Sequence, residues 1–298
     1  MEQLIDFTIG FSENVAWPWP IAVYLFLAGI SGGAFAAAAL VRIFRKQTQI
    51  TPLFQAASLI ALVTILLGMV CLVFDLTKPL DFWKILIFYN PTSVMSVGVM
   101  ALLVFIPVMF LVTLVSFYEF ECVRTLVDRV PCASTLVSLL PVCAYTGFLI
   151  SALVRFPLIN TAVLPALFVA SGLSAGIACS QLGAVLLGDS HDSRDVHILH
   201  SAEWPVMAAE ALCIFMIAFA LMTGVESAQM ASRAFVDGFW ASEFWLGVVG
   251  VGFVCPLLLA LFKKSFATVV ASAACSVVGM MCLRFFILYA GQLNAIGS

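Results

Sequence analysis

The chain is poor in charge. Only 10% of its 298 residues are Asp, Glu, Lys or Arg, where soluble domains carry about a quarter. With 63% apolar residues, that shortage excludes an ordinary soluble core and points to a membrane protein. The 13 basic and 16 acidic residues form no basic patch, so nucleic acid is not an expected partner. Histidine is nearly absent too. His191, His197 and His200 fall within ten residues of one another, so no haem can be held across the bilayer by two histidines from separate helices. The nine cysteines include no C-x-x-C pair, which argues against a zinc or iron–sulfur site in this protein. Most lie inside apolar stretches, where cysteine serves as a small filler.

What the sequence does hold is long apolar runs. A membrane helix needs about 20 such residues. Eight stretches qualify, near 20–42, 54–76, 95–119, 133–156, 162–187, 203–226, 243–262 and 266–290. The expected architecture is all-α, with eight transmembrane helices in a single polytopic domain and no room for a soluble one. The first run starts late and has no basic leader, so it is not read as a signal peptide. Residues 1–16 mix Leu4, Ile5, Phe7, Ile9 and Phe11 with acidic residues, which suits either an arm on the membrane surface or a frayed terminus. Lys and Arg count eight on one set of connections and four on the other. The positive-inside rule then places both termini outside.

A faint repeat runs through the sequence. "LFLAGISGGA" (25–34) resembles "LFVASGLSAGIA" (167–178), with Gly29 and Gly33 matching Gly172 and Gly176 at an offset of 143 residues. An offset of four helices makes both copies cross in the same direction, which suggests two four-helix halves. Small residues four apart also occur wherever membrane helices pack closely.

Ionisable groups inside a bilayer are costly and therefore candidates for function. Asp75, Arg155, Arg284 and Tyr24 fall toward the outer half. Tyr145 stands ten residues before Arg155, about 15 Å along a helix and so near mid-membrane. A phenol there is either a packed ring whose hydroxyl bonds a carbonyl or a ligand contact. Arg155 can instead snorkel to the interface, and Asp75 can pair with Lys78. The sixth stretch opens with "HSAEWPVMAAE", where His200, Glu203 and Glu210 share one helical face. They form either a proton path or a set of interhelical hydrogen bonds.

Several segments taken together resemble the NrfD/PsrC family: "WPWPIAVYLFLAGISGG" (17–33), "DLTKPLDFWKILIFYNPTSVMSVG" (75–98), "AYTGFLISALVRFPLIN" (144–160), "LPALFVASGLSAG" (164–176), "HSAEWP" (200–205) and "LRFFILYAGQ" (283–292). The resemblance implies a haem-free and metal-free subunit of the bacterial inner membrane that oxidises menaquinol. It implies an iron–sulfur partner with four [4Fe-4S] clusters and a catalytic reductase subunit, either of molybdopterin type or of a cytochrome c nitrite reductase system. It places Tyr145 at a quinone carbonyl, Tyr24 where a relative has a quinone-contacting His, and Asp75 at an acidic position after the second helix. Arg155 and Arg284 join that expected quinone site, with Asp75 as proton acceptor and Arg155 holding it ionised. Trp17, Trp19, Phe82 and Trp83 either line the approach or belong to the interfacial aromatic belt. A secondary transporter or a passive membrane anchor remains the alternative at the level of helix count and buried polar residues.

Overall fold

The structure, a computed structural model, describes residues 19–45, 50–75, 94–118, 144–153, 156–188, 193–261 and 265–292. These residues are helical almost throughout. We number α1 Trp19–Phe44, α2 Pro52–Asp75, α3 Val94–Phe117, α4 residues 144–151, α5 Leu164–Leu186, α6 Arg194–Thr223, α7 Phe239–Leu259 and α8 Phe266–Ala290. All but α4 are long and apolar enough to cross a membrane, giving seven candidate spans among the described residues. Most of the expected fourth span, 133–156, lies outside the described residues, as do residues 1–16 and both chain ends, on which the expected placement of the termini rests. The protein is a multi-pass membrane protein.

Two boundaries differ from the sequence expectation. The helix of the fourth stretch stops at residue 151 and gives way to turns. Pro157 follows soon after, and the residue preceding a proline is driven out of helical geometry. The sixth helix starts at Arg194 rather than near 203. Ser193 caps it by accepting a hydrogen bond from the Val196 amide at 3.3 Å, and Asp195 sits in the first turn, where the helix dipole favours an acid. Asp195 also pairs with Arg45 at the end of α1. His200 and Glu203 therefore stand well inside the helix.

The bundle is built around α1 and α5. In their most apolar windows 78% and 61% of residues are buried, against 17–33% in the other spans. The two copies of the glycine repeat meet there. A methyl group on Gly33 would overlap the Gly172 carbonyl, and one on Gly176 would overlap Ala34. Without side chains between them the backbones touch, and Ser180 Oγ donates to the Ala34 carbonyl at 3.4 Å. These contacts advance together along both helices, so α1 and α5 run parallel, as the repeat implies. In lipid, where apolar burial gives little drive between helices, such close packing and hydroxyl bonds supply it. Ser31 Oγ donates to the Ala61 carbonyl at 2.7 Å, joining α1 to α2. Thr113 Oγ1 donates to the Ser58 carbonyl at 3.0 Å and Gln55 Nε2 to the Ser116 carbonyl at 2.7 Å, joining α2 to α3.

The outer helices leave Phe110, Phe215, Phe219 and Leu246 exposed, the surface expected of groups that face hydrocarbon. One end of the bundle gathers the start of α1, the end of α2, the start of α5 and the end of α8. We call it the Trp19 end.

Candidate phenol pair and buried polar column

Tyr24 and Tyr145 both lie near the Trp19 end. Tyr24 is five residues into α1 and buried, and its ring rests on Gly68 of α2, where an added methyl would lie 3.4 Å from Cδ2. Tyr145 is half-buried on α4. Its ring lies flat against Gly98 of α3, where a methyl group would overlap the phenol carbon and hydroxyl. Both rings therefore sit on glycines in the Trp19 half of the bundle. Gly98 is four residues from the start of α3, and Gly147 of α4 abuts Pro165 at the start of α5. Tyr145 thus lies nearer the Trp19 end than the expected mid-membrane depth. That expectation assumed a helix through Arg155, whereas α4 ends about 9 Å beyond the tyrosine.

Asp75 is the last residue of α2, at this same end, but its side chain lies outside the described residues. Arg155 lies outside them altogether, with Trp17, Phe82 and Trp83. Trp19 is half-exposed where α1 begins, close to a stack in which Tyr289 lies between Trp240 and Phe285, with centroids at 5.4 and 5.8 Å.

Arg284 keeps other company. It is 1% exposed on α8. Its Nη2 donates to the Phe168 carbonyl at 3.2 Å, and the guanidinium lies 3.6 Å from the Phe168 ring centroid. Gly29 lets it approach α1, since a methyl there would sit 3.4 Å from Nη2. Gly29 is about 140° round the helix from Tyr24. The structure therefore puts Arg284 on the far side of α1 from the phenol pair. Glu210 of α6 lies within electrostatic reach of Arg284.

The residues singled out on α6 do line up. His200 Nδ1 lies 3.5 Å from Glu203 Oε2, and Ser276 Oγ of α8 lies 3.5 Å from Glu203 Oε1. Glu203 and Glu210 are both buried. With Ser276 and Arg284 opposite, they make a polar column between two parallel helices, interrupted by Met207 and Met280. Ser276 and Arg284 are eight apart and Glu203 and Glu210 seven apart, so each pair shares a face. The second spacing stands out in the sequence, whereas the first goes unnoticed there, as do Gly68 and Gly98. Among the described residues no group of three or more His, Cys, Asp or Glu is placed to hold a metal ion.

The family model for polysulphide reductase, NrfD, matches residues 8–296. The chain belongs to the NrfD family. It is 40% identical over 303 residues to the C subunit of polysulfide reductase from Wolinella succinogenes, covering 94% of this protein and 95% of that one. Protein NrfD of Escherichia coli is 36% identical over 308 residues, covering 95% and 96%. A protein NrfD homolog of Haemophilus influenzae is 35% identical over 323 residues, covering 97% and 99%. NrfD-type similarity thus spans the phenol pair and the polar column alike.

Proposed function

We propose that this protein is the quinol-oxidising membrane subunit of a bacterial respiratory reductase, with Tyr24 and Tyr145 bracketing the head group of menaquinol. Full-length similarity to a protein named as a component of polysulfide reductase supports the redox assignment over transport or passive anchoring. The observation that carries the site is the placement of two phenols from α1 and α4 at one end of the bundle, one seated on Gly68 and the other, half-buried, on Gly98.

A quinol delivers two electrons and two protons. A tyrosine hydroxyl donates to or accepts from a ring oxygen, so it can hold the head group before and after oxidation. Its ordinary pKa of about 10 makes it a poor base, so it orients and relays. Asp75, ending α2 at the same level, is the proton acceptor, and Arg155 keeps it ionised. The electrons pass to an iron–sulfur partner with four [4Fe-4S] clusters. From there they reach a catalytic subunit that reduces a sulfur compound or nitrite outside the inner membrane. The Trp19 end is the face on which those partners sit.

Tyr145→Phe keeps the ring on Gly98 and removes only the hydroxyl. In membranes carrying the whole complex, naphthoquinol turnover should fall while assembly is retained. Wild-type turnover and inhibitor affinity in both Tyr145→Phe and Tyr24→Phe would exclude the phenol site.

The polar column favours a second role for the NrfD-family subunit. In this reading His200, Glu203 and Glu210 pass protons from the opposite end of the bundle, with Arg284 beside Glu210. Glu210→Gln in sealed vesicles tests it: full quinol turnover with unchanged charge movement leaves the column a purely structural device.

A further inference from the structure

We propose that a groove between α4, α5 and α6 seats the isoprenoid side chain of the quinol, an assignment that rests on the phenol site described above. The groove has a volume of about 670 Å³, within the ~300–1,000 Å³ of small-molecule sites. Phe148, Pro165, Val169, Leu173, Val206 and Cys213 form its walls. Alanines on all three helices, among them Ala144, Ala166 and Ala209, make the recess. Among the described residues that line it none is charged, so they offer hydrocarbon a surface and give a phosphate headgroup no counter-charge.

Its position relates it to the phenol. Ala144 immediately precedes Tyr145, and Phe148 follows one turn later and is 56% exposed. On a helix those two residues share a face about 60–100° round from Tyr145. Tyr145 turns toward Gly98 of α3 while Ala144 and Phe148 turn toward the groove. A ring held at the phenol therefore has the groove within one turn of α4. Along α5 the lining runs from Pro165 to Leu173, about 12 Å, a length suited to several isoprene units and far longer than a naphthol ring. A menaquinol is one molecule with both parts, an aromatic head that hydrogen-bonds and a long branched hydrocarbon tail. The branched methyls of such a tail suit a recess floored by alanines better than a flat helix face.

The test compares two substrates on the intact complex in membranes: a tail-less methylnaphthoquinol and the same ring with a multi-isoprene tail. Ala166→Phe and Ala209→Phe fill the groove from α5 and α6 without touching the phenols. The expected result is a rise of about tenfold or more in KM for the tailed quinol, with kcat/KM for the tail-less quinol unchanged. An equal shift for both substrates, or none for either, overturns the assignment; the second pattern is the one a groove holding a phospholipid acyl tail would give. Failure of the unmodified complex to oxidise either quinol would instead remove the phenol site itself. A photoreactive group on the far end of the tail checks the native protein: label on α5 or α6 at the groove is expected, and label confined to other helices overturns it.

Discussion

Gly33 of α1 lies against the Gly172 carbonyl of α5 with no space for a methyl group between them. The contact joins the two copies of the repeat at the centre of the NrfD-family bundle. Gly33→Ala must push α1 and α5 apart, because the obstacle is backbone and not the end of a flexible side chain. Overpacking of this kind costs about 1–3 kcal/mol. Thermal unfolding in detergent should show a clear loss of stability. Gly68→Ala is the control: its methyl would meet Tyr24 and Leu27 at ordinary contact distances of 3.4 and 3.5 Å, so its loss should be smaller. Equal stability of the two variants would mean that the glycine crossing is not what holds the helices together.

Gly98 gives a sharper probe of the phenol site than the tyrosine itself. Tyr145→Phe removes one hydrogen bond, about 0.5–1.5 kcal/mol, so turnover should fall by about two- to tenfold. Gly98→Ala keeps the hydroxyl on the side chain but moves the ring, and the hydroxyl with it, off its seat. Displacement by even about 1 Å can cost about a hundredfold in a positioned site. Quinol turnover should therefore fall further in Gly98→Ala than in Tyr145→Phe, with the complex still assembled by co-purification. The reverse order would show that the seat on Gly98 does not set the position of the phenol.

Glu210 and Arg284, both buried and within electrostatic reach of each other without an ion pair between them, should be energetically coupled. Glu210→Gln takes the carboxylate away from a guanidinium that is 1% exposed. Neighbouring buried groups that share an environment couple by about 0.5–3 kcal/mol. Replacing both residues with methionine removes both charges, and such exchanges are often close to neutral. The double variant should unfold at a higher temperature than either single variant. Additive losses would show that the two side chains are independent.

Seven of the spans were legible because each carries about 20 apolar residues, and hydropathy reports depth directly. The repeat was legible as well, since the glycines that mark it are the residues that touch. Depth does not report direction around a helix. Arg284 and Tyr24 lie at related depths, and only the packing of Gly29 and Gly68 separates them onto opposite sides of α1. The seats at Gly68 and Gly98 were illegible for the same reason: a glycine in an apolar run does not say which ring will lie on it. The end of α4 was misjudged because apolar character continues past residue 151 while helical geometry does not.

Arg45 and Asp195 offer a test at the opposite end of the bundle from the phenols. Their ion pair ties the end of α1 to the first turn of α6. Arg45 is partly exposed, with 29% of its side-chain surface accessible against 8% for Asp195, so the pair is neither fully screened nor fully desolvated. Exposed pairs contribute about 0.2–1 kcal/mol. Arg45→Glu replaces attraction with repulsion against a buried carboxylate and should lower thermal stability by more than that. Exchanging the charges, Arg45→Asp with Asp195→Arg, restores the attraction but places a cation at the start of α6. A cation there opposes the helix dipole, at about 0.3–1 kcal/mol. Recovery in the exchanged variant should therefore be partial. Complete recovery would show that Asp195 acts only through Arg45, and none at all would show that it acts only on the helix end.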